Sequence, residues 1–195
     1  MDVGMLSGGG VTTMLAGVAL AGVVAGLLGA LLRRSLPFVS AWAIAGFVFA
    51  VACIGVLTLT PAYEVPSVVL AEDRPTSCSL DYGGPSPDGF WIVGGGQRLL
   101  NMVVFAPAGA LLVLAVGRWR VGRVLAPLGL LGLFGYSVAI EWAQLEVARI
   151  DRACDITDMV DNALGALVGF GVGLVLLVVL RPWRGAGRRG VDRTA

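Results

Sequence analysis

Long apolar runs separated by short polar stretches dominate the chain. Residues 11–32 and 38–60 carry no charge at all. Residues 99–117 carry Asn101 near one end, and residues 124–145 carry Glu141 and Gln144 near the other. Residues 159–180 hold Asp161 and Asn162 in what would be a first turn. Each run approaches the ~20 apolar residues that cross a bilayer as a helix. The pattern therefore predicts an all-α, polytopic membrane protein with five transmembrane helices. Most links between the runs are too short for a separate soluble domain.

One link is long. Residues 61–98 hold five of the nine prolines, together with Gly83-Gly84 and Gly94-Gly95-Gly96. That composition suits an irregular loop, either a lid on the membrane surface or a plain connector. Tyr82, Phe90 and Trp91 are suited to anchor it at the interface. The expected division is two helices plus this loop over 1–98, a three-helix unit over 99–180, and a basic tail over 181–195.

Composition sharpens the picture. The chain is 57% hydrophobic and 14% charged, against ~25% charged in average soluble domains. Its mean hydropathy is +0.86. It has no His, and every one of its 14 basic residues is Arg. A His base, a His metal ligand, a Lys Schiff base and a phosphate-loop lysine are thus excluded. The arginines also segregate. Arg33 and Arg34, then Arg118, Arg120 and Arg123, then the five arginines of the tail all fall on one side of a five-span chain. The positive-inside rule predicts an N-out, C-in topology. Asp2 and the lack of Arg ahead of the first run argue for a membrane helix there over a cleaved signal peptide. The tail reads as an anchor on anionic lipid, not as a nucleic-acid site.

The cysteines and polar residues give the candidate chemistry. Cys78 and Cys154 fall in the two outer loops, where an oxidising environment favours a disulfide. Asp155, Asp158, Asn162, Gly165 and Gly169 recur at helical spacing and share one stripe. The glycines would admit a partner helix in small-xxx-small fashion, and the fourth run supplies a candidate partner, with Ser137, Glu141 and Gln144 on one face. Arg152 lies in the turn between them, Asn101 sits near the same end, and Pro107 with Gly109 is expected to loosen the third helix. The site so read comprises Asn101, Glu141, Gln144, Arg152, Asp155, Asp158 and Asn162. Each has an ordinary alternative, such as a helix cap or an ion pair that holds a turn. Asp161, off the stripe, reads as a capping or solvated acid.

Three blocks then resemble the VanZ-like family of bacterial membrane proteins. They are Asn101-Met-Val-Val-Phe105-Ala-Pro107-Ala-Gly109, Ser137-Val-Ala-Ile-Glu141-Trp-Ala-Gln144, and Arg152-Ala-Cys-Asp155-Ile-Thr-Asp158-Met-Val-Asp-Asn162-Ala-Leu-Gly165 with Gly169 following. A cysteine inside the third block resembles a variant found in actinobacterial members. The resemblance implies a multi-pass protein of the bacterial plasma membrane and marks 99–180 as the VanZ-like core. It also implies a link to low-level resistance to teicoplanin, but supplies no reaction. Three readings of the site stay open. In one it binds an envelope lipid or lipid-linked cell-wall component, with Arg152 on a phosphate or carboxylate and Asn101, Gln144 and Asn162 on sugars or amides. Glu141, Asp155 and Asp158 could there hold a divalent cation. In another, these three acids run acid–base chemistry on such a lipid, as a hydrolase or transferase with Glu141 as base. In the last, the cluster only holds helices together.

Overall fold

A computed structural model describes residues 10–60, 77–82, 96–146 and 154–180. It contains five helices: α1 (Gly10–Leu32), α2 (Phe38–Leu59), α3 (Gly96–Val116), α4 (Gly122–Glu146) and α5 (Ile156–Leu180). All five are long and apolar enough to cross a membrane. Among the described residues there is no strand beyond one isolated bridge, between Ser79 and Asp155. The chain is thus an all-helical, multi-pass membrane protein.

Each helix begins and ends where local chemistry requires. After α1, Arg33, Arg34, Ser35 and Leu36 donate backbone N–H bonds to the carbonyls of its last turn. These partners satisfy groups that a helix end leaves open. Pro37, in an extended conformation, precedes α2; its fixed φ and missing N–H are tolerated at a helix start. Residues 117–121 form the equally tight link from α3 to α4, through bonds such as Trp119 N–H to Val116 O at 3.1 Å and Gly122 N–H to Trp119 O at 3.0 Å. Gly122 is required there, because a Cβ would overlap the Val116 carbonyl.

The most extensive helix–helix interface joins α3 to α5. Gly165, Gly169 and Gly173 of α5 lie against the backbones of Met102, Ala106 and Ala110 of α3, and Gly109 lies against Ala166. A Cβ at Gly165 or Gly169 would overlap a main-chain oxygen. The four-residue spacing on both helices makes this a small-xxx-small seam, in which dispersion between backbones replaces the absent hydrophobic drive. It corrects the expectation that α4 is the partner of the glycine stripe. Gly109 is a seam residue, and α3 runs unbroken through Pro107, whose ring lies exposed on the outer surface of the bundle. The expected loosening is not seen.

The core beside the seam draws on four helices. Ile54 of α2, Phe105 and Leu112 of α3, Leu133 and Ile140 of α4 and Ala166 of α5 form one buried cluster. By contrast, α1 packs chiefly on α2 and presents Val11, Leu15, Leu20 and Leu27 outward. At one end of the bundle α2 and α4 finish while α3 and α5 begin. The disulfide lies at this end, and the polar site residues gather there.

Candidate functional site

The site is assembled on the first turn of α5. Cys78 and Cys154 are bonded across 76 residues of sequence, as expected from their loop positions. The bond holds segment 77–82 against α5. Ser79 N–H donates to Cys154 O at 2.9 Å, and Ile156 N–H donates to Ser79 O at 3.0 Å. One of the open N–H groups of α5 is thus satisfied by a distant strand-like segment. Thr157 N–H donates to Asp155 Oδ1 at 2.8 Å, so Asp155 acts as the N-cap. Its own N–H donates to Glu141 Oε2 at 3.1 Å. Glu141 is only 2% exposed. A carboxylate so buried needs partners, and this bond ties the end of α4 to the start of α5.

Two more polar contacts fasten the helices. Asn162 Nδ2 donates to Ser137 Oγ at 3.0 Å, with both residues buried. Gln144 Nε2 donates to the Thr58 carbonyl at 2.9 Å. That carbonyl belongs to the last turn of α2, which has no intrahelical donor for it. The structure therefore brings Glu141 and Asp155 into direct contact, while Gln144 and Asn162, on the same two helices, bond instead to Thr58 of α2 and Ser137 of α4. Asp158 is in the first turn of α5, partly buried. Asn101 lies on α3 near its start, and Arg152 falls outside the described residues.

The strongest pair at this end involves two residues that the sequence reading left out of the site. The sequence pattern puts Arg98 in the long loop and reads Asp161 as a capping or solvated acid. Instead, α3 begins at Gly96, so Arg98 is helical. Arg98 is 5% exposed and Asp161 is 0% exposed. Arg98 Nε donates to Asp161 Oδ2 at 2.7 Å, and Nη2 to Oδ1 at 2.9 Å, a bidentate pair. Nη2 also donates to Tyr82 Oη at 2.7 Å, and the guanidinium carbon lies 5.0 Å from the Tyr82 ring centre. Tyr82 thus serves the pair, beyond any role at the interface. A signal was present: Asp161 lies one helical turn before Gly165, and Arg98 one turn before Met102, which meets Gly165.

Not every donor is satisfied. Arg98 Nη1 and Asn101 Nδ2 are buried and have no hydrogen-bond partner. They are three residues apart on α3 and so share a face. Among the described residues, no group of three or more acids and cysteines is arranged to hold a metal ion.

The VanZ/LLP1 family model matches residues 47–178. The chain belongs to that family. No curated protein and no solved structure matches it. The matched region starts inside α2 and contains every residue of the polar cluster, while α1 lies outside it. In this VanZ/LLP1 protein the three sequence blocks fall on α3, α4 and the start of α5, the helices whose ends meet at the disulfide.

Proposed function

We propose that this VanZ/LLP1 protein binds an envelope lipid or a lipid-linked cell-wall component at the disulfide end of the bundle, with that end facing the cell exterior. The observation that carries the reading is the pair of buried donors without acceptors, Arg98 Nη1 and Asn101 Nδ2. A buried donor left unpaired costs about 1–3 kcal/mol. Helix association does not explain that cost, because the other donors of Arg98 already serve Asp161 and Tyr82. A ligand oxygen placed against both donors would recover it. Phosphate, carboxylate or sugar oxygens of an amphiphile's head group meet this need, and Arg152, which lies outside the described residues, is the sequence's candidate for a second cationic donor. Glu141, Asp155 and Asp161 are engaged in contacts of the fold, which favours binding over acid–base catalysis. In cells, the binding would be expressed as altered sensitivity to teicoplanin-type glycopeptides.

Asn101→Leu separates ligand binding from a purely structural cluster. It removes an unpaired donor and keeps the branched shape of the side chain, so a purely structural cluster should still fold. If the proposal holds, lipid that co-purifies with the wild type, read by native mass spectrometry, is lost from a folded Asn101→Leu protein. Complementation of a null strain under teicoplanin fails with it. Undiminished lipid retention in that variant would overturn the reading. Asn162→Ala, which breaks the bond to Ser137, serves as the structural control.

A further inference from the structure

At the opposite end of the bundle the structure holds a cavity of about 520 Å³. Val113 of α3, Ala126 of α4 and Phe170, Leu174 and Leu177 of α5 give it apolar walls. Its volume falls in the ~300–1,000 Å³ range of small-molecule sites. Arg118, Arg120 and Arg123, from the α3–α4 link and the start of α4, also line it. The Arg118 guanidinium stands 5.2 Å from the ring centre of Trp119, and its Nη1 is buried without a hydrogen-bond partner. Every acidic side chain among the described residues lies in or beside the disulfide end, so nothing anionic in the described protein faces these three cations.

We infer that this cavity is a site for an anionic phospholipid, with an acyl chain against the apolar walls and the phosphate on Arg118 and Arg123. The two halves of the cavity have the two chemistries of such a molecule. A hydrocarbon-lined space beside a bilayer gains dispersion when a chain fills it. Guanidinium groups at its rim offer forked donors to phosphate oxygens. Basic pockets between membrane helices bind anionic head groups on the same grounds. The site is independent of the cluster at the disulfide end and shares no residue with it.

The test uses the full-length protein in mixed micelles of phosphatidylglycerol and phosphatidylcholine, with retained lipid read by native mass spectrometry. Wild type should retain phosphatidylglycerol preferentially. Arg118→Gln and Arg123→Gln should each lower that preference about fivefold, near 1 kcal/mol per arginine, without changing phosphatidylcholine retention. Ala126→Phe, which projects a ring from the cavity wall into the space for the acyl chain, should abolish it. Arg33→Gln/Arg34→Gln removes more charge from the same end, away from the cavity, and should leave the preference intact. Equal loss in that control would make the arginines a general anchor and overturn the site. So would an absent preference in wild type, or a preference that survives Ala126→Phe in a protein that elutes and melts like wild type. Thermal stabilisation by inorganic phosphate equal to that by the lipid would assign the arginines to free phosphate and likewise overturn it.

Discussion

The α3–α5 seam and the α1–α2 hairpin both use glycine, but they use it differently. On α5, the space beside Gly165, Gly169 and Gly173 is occupied by main-chain atoms of α3. On α1, the neighbours of Gly17, Gly22 and Gly29 are side chains of α2: Val56, Phe49 and Trp42. A side chain can rotate away from an added methyl, whereas a helix backbone cannot without moving the whole helix. The seam also carries the buried Arg98–Asp161 pair at one end, and the described α1 residues carry no charged group. In lipid, where tails are as apolar as side chains, association rests on close packing and polar contacts. The seam has both, including a buried ion pair; the described glycine contacts of the hairpin are close packing. The family match agrees with this division, because it covers α3–α5 and omits α1.

The comparison breaks most sharply at Asp161. Asp161→Asn leaves a buried guanidinium without its counter-charge, which costs on the order of 3–5 kcal/mol. The variant should fail to accumulate, or should melt far below wild type in a detergent thermal-shift assay. Arg98→Met/Asp161→Leu removes both charges and should recover most of the loss. If the double variant is no better than the single one, the ion pair is not the source. Gly169→Val tests the seam itself. Overpacking typically costs about 1–3 kcal/mol, and the rigid Ala106 carbonyl puts this site at the upper end; its melting temperature should fall clearly. Gly26→Ala on α1 should do the reverse. Nothing lies within 4 Å of a Cβ there, and exchanging a mid-helix glycine for alanine favours the helix by roughly 0.5–1 kcal/mol. A small rise in thermal stability is expected. A loss at Gly26 as large as that at Gly169 would erase the distinction between the two interfaces.

The inferred lipid cavity extends the comparison along the bundle. At the disulfide end, buried polar groups find partners on neighbouring helices, as with Glu141 on Asp155 and Asn162 on Ser137. At the α3–α4 link, guanidinium groups line an apolar space with no acid nearby among the described residues. One end is tied together by internal hydrogen bonds with two buried donors left open, and the other offers an apolar space lined by cations.

How much of this was legible beforehand depended on what each feature needs. The spans were readable because a bilayer imposes length and apolarity on a contiguous segment, which is a one-dimensional constraint. Observed boundaries differ from expected ones by up to three residues, as at α3, which starts at Gly96. That small shift decided Arg98, which moved from a loop into a helix. The disulfide was readable because both cysteines share one compartment. Asp155 was readable as a cap, since capping is local in sequence.

Partnership between distant helices was not readable. The glycine stripe of α5 announced a close neighbour without naming it, and α4 was favoured because it is adjacent in sequence. The structure chose α3, whose Met102, Ala106 and Ala110 present accessible backbone at matching four-residue intervals, with Gly109 beside Ala166. Asp161 and Arg98 became a buried pair only through that choice. The sequence by itself determined the number of spans, the loop disulfide and the chemical kinds available: carboxylate, amide and guanidinium, with neither imidazole nor lysine ammonium. Only the tertiary structure decided which of those groups neutralise one another and which donors stay open to a ligand. Burial and partner geometry belong to pairs of helices, and no single segment encodes them.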